Sequence, residues 1–588
     1  MNTRLTLLLA ILVAAAIPLA PGIPAFWLTL LNNIGLASLV ALGLVLLTGV
    51  GGLTSFGQAA FCGFAAYTSA LLTTAYGLSP WLTLPIALTV TALSAVVIGL
   101  ITVRLSGHYL PLGTIAWGIS IYYLFGQIEM LGRHDGLSGI PPLSVFGHSL
   151  MDPKAVYYAI WIAVFAVSIA TINLLDSRMG RAIRALRGGR IAAESFGIDT
   201  AKLKLVVFVY AAVLAGLSGW LYAHYQRTVN PTPFGLHAGI EYLFMAVLGG
   251  AGYVWGAVAG ATVVTLLKDI LQRVSPMVAG ELAQIDSIVF GILLVLSLQF
   301  APRGVWAFVR NLVPKAAPKP VPQADPLPRR VVDARSGKPL LAVAKIRKQF
   351  GGLVAVNDVS FSLGAGEIVA LIGPNGAGKS TTFNLISGVA RATSGSVSFA
   401  GEDISGSSPQ DVARRGMART FQHVKLLPEM SVLENVALGA HLRGHAGLFK
   451  SLLRLDRADE ARLLAEAARQ IERVGLADHM HKPAGSLALG QQRIVEIARA
   501  LCLDPRLLLL DEPAAGLRHF EKQSLADLLS QLRQEGMSIL LVEHDMGFVM
   551  GLTDHIVVLD FGTKIAEGKP EAIRQNPAVL EAYLGSAA

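Results

Sequence analysis

Between Leu5 and Pro302 the apolar residues run in long blocks separated by short polar turns, whereas beyond Leu341 they come in brief runs set among polar helical stretches. A helix that crosses a bilayer needs about 20 mostly apolar residues. Blocks of that order centre on 5–20, 26–49, 57–76, 82–104, 109–131, 156–175, 204–225, 238–272 and 284–301. The pattern predicts a polytopic α-helical membrane domain of about nine transmembrane helices, with 238–272 interrupted at Gly249-Gly250-Ala251-Gly252. The first block, Leu5–Ala20 after Arg4, has the charged start and short apolar run of a secretory signal peptide. Further dense blocks follow at once, so it reads as a retained helix. Small residues such as Gly57, Ala60, Gly63 and Ala66, and the Gly256/Gly260 pair, suit close helix packing in lipid. Lys268, Asp269 and Asp286 fall near expected span ends, where interfacial exposure explains them, while Glu129 and Glu241 are candidates to line a pathway.

The second half has the rhythm of an α/β domain. Leu341–Gln349, Val359–Leu363, Glu367–Ile372, Leu507–Leu510 and Ser538–Val542 are strand-like runs, and 430–480 reads as an inserted helical subdomain. Between the halves, prolines 314, 318, 320, 322, 326 and 328 with Lys315, Lys319, Arg329 and Arg330 read as an extended, semi-rigid tether. The expected division is therefore a membrane domain at 1–312, a linker at 313–340 and an α/β domain at 341–588.

Composition sharpens this picture. Only 15% of the 588 residues are charged and 53% are hydrophobic, against roughly 25% charged in soluble proteins. The net charge of +9 invites a nucleic-acid reading, but basic residues also gather on cytoplasmic loops of membrane proteins. That second reading fits, because the basic residues cluster between apolar blocks, and nucleic acid is not expected as a partner. The loop 176–204 carries Arg178, Arg181, Arg184, Arg187 and Arg190, then Lys202 and Lys204, which places it in the cytoplasm. Arginines three apart spiral around a helix instead of forming a stripe. The loop is thus either a topological marker or a docking element for the second half. Cys62 and Cys502 lie far apart and read as buried apolar residues.

The chemistry is concentrated in one ordered series. An apolar run, Ile368–Ile372, leads into Gly373, Pro374, Asn375, Gly376, Ala377, Gly378, Lys379, Ser380 and Thr381, followed by a helical segment. This is the phosphate-binding G-x-x-x-x-G-K-S pattern in the strand–loop–helix context it requires. The glycines let backbone N–H groups approach phosphate oxygens, Lys379 adds a point charge, and the Ser380 hydroxyl is placed for Mg²⁺. Phe350, some way upstream, is a candidate to stack on the adenine of ATP. Gln422 ends a short strand and is placed to reach Mg²⁺ and an attacking water. A buried strand then ends in Asp511-Glu512, where Asp511 is placed to hold Mg²⁺ and Glu512 to act as general base. His544 ends another strand, placed for the γ-phosphate.

Taken with Leu487-Ala488-Leu489-Gly490-Gln491, this order resembles that of ABC-transporter ATPases across all of 341–588. Phe350-Gly351-Gly352-Leu353, Pro513–Leu517, Glu543–Met546 and Ala582-Tyr583-Leu584-Gly585 resemble the branched-chain amino acid importer subgroup. Ser55–Ala59, Arg181–Arg184, Phe196–Asp199 and Leu248–Gly250 resemble the permease of the same system. The resemblance implies ATP hydrolysis coupled to uptake of branched-chain amino acids or related small solutes across a bacterial inner membrane, with the ATPase in the cytoplasm. It also implies that Leu487–Gln491 covers ATP held by a second cassette. Partners follow: a second permease subunit, a second ATPase subunit and an external substrate-binding protein. Two departures stand out, Ala488 where a serine is frequent and Arg518 where the interface loop carries Asp or Asn. An exporter half-molecule, with six spans and long cytoplasmic helices, and a membrane-tethered regulatory ATPase are the competing readings.

Overall fold

The computed structural model describes residues 14–103, 105, 107, 109–278, 285–300, 304–312, 320–330 and 339–584. Most of the Leu5–Ala20 block, the linker stretches 313–319 and 331–338, the Asp286 side chain and Gly585 lie outside the described residues. In the first three hundred residues the principal helices are α1 (Ala25–Leu44), α2 (Gln58–Thr74), α3 (Pro80–Thr102), α4 (Tyr109–Gln127), α5 (Pro153–Leu175), α6 (Arg178–Ala185), α7 (Arg190–Glu194), α8 (Thr200–Gln226), α9 (Leu236–Gly250), α10 (Val254–Val278) and α11 (Ile285–Phe300). Two units form. One comprises Met1–Asp176, Ala201–Pro318 and Leu452–Arg454, and the other Ser177–Thr200, Lys319–Ser451 and Leu455–Ala588. Thus α6 and α7, from the basic loop, belong to the second unit.

In the first unit, Ala25–Val50, Pro80–Thr102, Pro153–Leu175, Thr200–Gln226 and Val254–Arg273 are long and apolar enough to cross a membrane. The other expected blocks appear as helices of 15 to 19 residues, α2, α4, α9 and α11. The break expected within 238–272 falls between α9 and α10. Gly250 takes φ +117° there, which a side chain would strain. Several hydroxyls on these helices bond back to their own carbonyls four residues earlier, as Thr91 Oγ1 does to Ala87 O at 2.8 Å, which satisfies them in burial. Inside the unit, Ser69 Oγ is within 2.6 Å of Thr83 Oγ1 and 2.8 Å of His224 Nε2, joining three helices through polar side chains.

Close backbone approach makes glycine mandatory where α9 meets α10. A Cβ on Gly260 would lie 1.8 Å from Met245 O, and one on Gly249 1.8 Å from Gly256 O. Gly260→Leu is expected to force the pair apart, destabilising by at least the ~1–3 kcal/mol of an overpacked core. Thermal unfolding of the detergent-purified protein checks this, with Gly252→Ala, which meets nothing within 4 Å, as the neutral control.

Two charged positions find their places here. Lys268 Nζ, with its side chain 36% exposed, bonds Glu241 Oε1 at 2.7 Å, pairing two charges that are costly on apolar helices when alone. Glu129 lies on a short turn after α4 with an 88% exposed side chain, paired loosely to Arg133, and not in a helical span.

The second unit is built on β1 (Leu341–Phe350), β2 (Leu353–Leu363), β3 (Ile368–Ile372), β4 (Ser394–Phe399), β5 (Met417–Arg419), β6 (Leu507–Asp511), β7 (Ser538–Val542), β8 (His555–Asp560) and β9 (Thr563–Gly568). One sheet has the order β5-β6-β7-β3-β8-β9, parallel except for the β8–β9 pair. Strands β3, β6 and β7 are buried at every position, as a parallel sheet covered on both faces demands. An antiparallel sheet pairs β2 with β1 and β1 with β4. The helices that matter below are α12 (Lys379–Ile386), α13 (Val432–Gly439), α14 (Arg457–Arg473), α15 (Leu489–Cys502), α16 (His519–Gln534), α17 (Met546–Leu552), α18 (Pro570–Arg574) and α19 (Pro577–Leu584).

Helices α13, α14 and α15 share a separate core that includes Val436, Ala467, Ile471 and Val495. Leu327 of the linker is buried in that core, and Arg443 and Arg462 donate to the Pro328 and Pro326 carbonyls. Residues 320–330 of the expected extended, semi-rigid tether lie on the helical subdomain. Alternating prolines keep the strap extended, and its lone leucine supplies the apolar anchor.

Candidate nucleotide site

Parallel strands deliver their carboxyl ends to one edge of a sheet, where ligands of α/β proteins gather. Here β3 leads into the Gly373–Ser380 loop, β5 leads to Gln422, β6 ends in Asp511-Glu512, and β7 leads to Glu543-His544. These side chains meet around a cavity of about 440 Å³ lined by Asn375 to Thr381, Gln422, Glu512 and His544. Gly378 takes φ +90°, and a Cβ there would sit 2.4 Å from Ala355 O, so the loop keeps its bare backbone. Lys379 Nζ donates to Gly373 O at 2.9 Å and Pro374 O at 2.8 Å, which folds the side chain over its own loop. Burial lowers the Lys379 pKa, with Glu512 opposing it.

Glu512 is the centre of the arrangement. Its Oε2 accepts from Gln422 Nε2 at 2.9 Å and its Oε1 from His544 Nε2 at 2.7 Å. Its backbone is held at φ +48°, a sparsely populated conformation for a non-glycine. Burial pushes its pKa up, but the hydrogen bonds from Gln422 and His544 outweigh it and hold the carboxyl below the usual glutamate range. It is therefore an ionised acceptor at neutral pH. Three residues taken from separate parts of the sequence thus converge on one another.

Asp511 stands immediately before it. Its Oδ2 accepts from Arg419 Nη2 at 3.0 Å, and its Oδ1 is buried without a hydrogen-bond partner. Burial raises the Asp511 pKa against the pull of Arg419. A buried carboxylate oxygen left open beside a phosphate loop and the exposed Ser380 fits a hydrated divalent cation. Arg419 also donates to Asn384 Oδ1 and Ser387 Oγ, both at 2.7 Å, so it ties β6 to α12. Motif reading passed over Arg419, although an arginine in the strand before Gln422 was a visible signal. Glu543 was passed over in the same way: its Oε1 accepts from Ala514 N at 2.6 Å and its Oε2 from His544 N at 2.9 Å, fixing the turns that carry Glu512 and His544.

Not every candidate lies at the cavity. Phe350 is 51% exposed at the end of β1 under Lys348 Nζ, and Leu353 and Phe561 line the cavity in its place. Phe561 is 87% exposed at the tip of the β8–β9 hairpin, a position that only an aromatic at a solvent turn would have signalled. Leu487 to Gln491 form the start of α15, and none of them lines this cavity. Ala488 and Leu489 are exposed, Gln491 Oε1 accepts from Ala488 N at 3.3 Å, and Gly490 is buried where a Cβ would press 2.6 Å from Glu521 Oε1. Arg518 is exposed at the start of α16, its N–H bonded to Glu521.

The basic loop packs within the same unit. Arg181, 4% exposed, makes a two-pronged ion pair with Glu460 of α14, with Nη2 at 3.0 Å from Oε2. Arg178 donates to His441 O at 2.6 Å and Ala446 O at 2.7 Å. Burial, with Arg178 and Arg181 nearby, pushes His441 down to about 3, so its ring is neutral. Gly189 takes φ +108° and separates α6 from α7, after which Phe196 is buried 4.6 Å beneath the Arg499 guanidinium. The spiral of arginines is thus resolved: different turns of α6 present different arginines to different partners.

Comparison with known families agrees with this construction. Residues 26–298 match the profile of the branched-chain amino acid transport system / permease component, 356–515 that of the ABC transporter, and 563–588 that of the branched-chain amino acid ATP-binding cassette transporter. The chain is 47% identical over 253 residues to the high-affinity branched-chain amino acid transport ATP-binding protein LivG of Salmonella typhimurium, covering 42% of this chain and 99% of the relative. It is 46% identical over 255 residues to the corresponding protein BraF of Pseudomonas aeruginosa, with the same coverage. A solved nucleotide-free ATP-binding cassette from an ABC transporter is 33% identical with a TM-score of 0.38, covering 42% of this chain and 100% of that one. The chain belongs to the branched-chain amino acid ATP-binding cassette transporter family and joins a permease component and a transport ATPase in one polypeptide.

Proposed function

We propose that the protein is one half of an ATP-driven importer in a bacterial inner membrane, carrying branched-chain amino acids or related small solutes inward. The observation behind this reading is that the cassette has one phosphate loop, while its own Leu487–Gln491 end of α15 stays away from that loop's cavity. Such a cassette is complete only against a second one, so a second ATPase subunit, a second permease subunit and an external substrate-binding protein complete the assembly. Gly373 to Thr381 would hold the phosphates of ATP, with Phe350 or the nearer Phe561 at the base. Ser380, Gln422 and Asp511 would hold Mg²⁺, which supplies charge neutralisation at the transferring phosphoryl group.

The roles of the side chains follow from their bonds. Glu512 takes the proton of the attacking water, Gln422 keeps the carboxylate turned toward the cavity, and His544 holds its other oxygen. Lys379 exchanges its two loop carbonyls for phosphate oxygens. Closure of the paired cassettes reaches the permease through α6 and α7, and it shifts the bundle only so far as the two states bind ATP differently. Proteoliposomes containing the assembled complex are expected to accumulate leucine only with ATP and a loaded receptor, with ATPase activity stimulated by that receptor. An ATPase rate indifferent to receptor, together with no uptake, overturns the reading.

A further inference from the structure

A second cavity, of about 470 Å³, opens among α17, α18 and α19, away from the phosphate loop's own space. Met546, Met550, Ile573, Leu580 and Tyr583 give it an apolar lining. Arg574 also lines it, exposed, at the last position of α18, with no hydrogen bond or ion pair among the described residues. The lining includes no carboxylate. One of its walls leads to the nucleotide chemistry: Met546 opens α17 two residues after His544.

A concave apolar space of this size with one placed charge is the form of a small-molecule site. Methionines adapt to branched aliphatic shapes. An uncompensated guanidinium selects a carboxylate. A zwitterion is disfavoured, because its ammonium would lose water without an acidic side chain to meet it. We propose that this cavity binds a small branched aliphatic monocarboxylate, its tail among the methionines and its carboxylate on Arg574. Binding here stands independently of the transport reading.

The full-length chain purified in detergent is titrated calorimetrically with 4-methylpentanoate and, separately, with leucine. Saturable binding of 4-methylpentanoate is expected, at least about tenfold weaker in Arg574→Gln and at least about tenfold weaker for leucine. No saturable binding, equal binding by Arg574→Gln, or leucine binding as tightly as 4-methylpentanoate overturns the site.

Discussion

Replacing Glu512 with glutamine is expected to lower ATP turnover by the assembled complex about 10²–10⁴-fold, the range lost when a positioned general base is removed. Nucleotide binding should persist, because the loop from Gly373 to Thr381 and Lys379 are untouched. The substitution is nearly isosteric: the amide oxygen still accepts from one of Gln422 and His544, and only the other bond is lost or reversed by an amide flip of Gln422. The effect therefore belongs to proton acceptance and not to collapse of the site. Steady-state phosphate release and equilibrium binding of labelled ATP measure the two halves separately. Turnover within a few-fold of wild type would remove Glu512 from the role of base. Its depressed pKa gives the same assignment a direction in pH: turnover held by this carboxylate falls as pH drops through its folded value, and not before.

The second large effect is expected at Arg181. Its guanidinium is buried against Glu460, and removing one partner of such a pair typically costs 3–5 kcal/mol, since the other charge is stranded. Arg181→Met should loosen residues 177–200 from the cassette unit, seen as faster amide exchange in α6, while the triad around Glu512 remains intact. Basal ATPase should survive and the solute moved per ATP should fall. Arg181→Met with Glu460→Met removes both charges, and is expected to recover most of the protection. If the single substitution leaves exchange and coupling unchanged, the pair holds nothing that transport uses.

These features were unequally legible in the chain. The phosphate loop, Gln422, Glu512 and His544 could be found because each ends a short apolar run, and parallel strands must carry their ends to a common edge. The break between α9 and α10 was visible as four small residues in an apolar block. Arg419 and Glu543 escaped because they act on other protein groups, and nothing in the spacing of a motif marks an orienting partner. Phe350 precedes the phosphate loop at a distance that suits a base, but it stands outside the cavity lining, and Phe561 on a turn far along the chain is the aromatic that lines it. Long-range pairing of this kind has no local signature. The Lys268–Glu241 bond was hidden for the same reason, one partner on each of two helices.

The Arg181–Glu460 pair also has a history in time. Its members are 279 residues apart, so at roughly 5–20 residues per second the arginine leaves the ribosome some 14–56 s before its glutamate. During that interval, on the reading of 176–204 as a cytosolic loop, its charges are available to set the orientation of the growing bundle. Once the cassette is finished, the same arginine is withdrawn from water and becomes a structural bolt. On that reading one cluster of charges serves insertion early in biogenesis and ties α6 to α14 at its end.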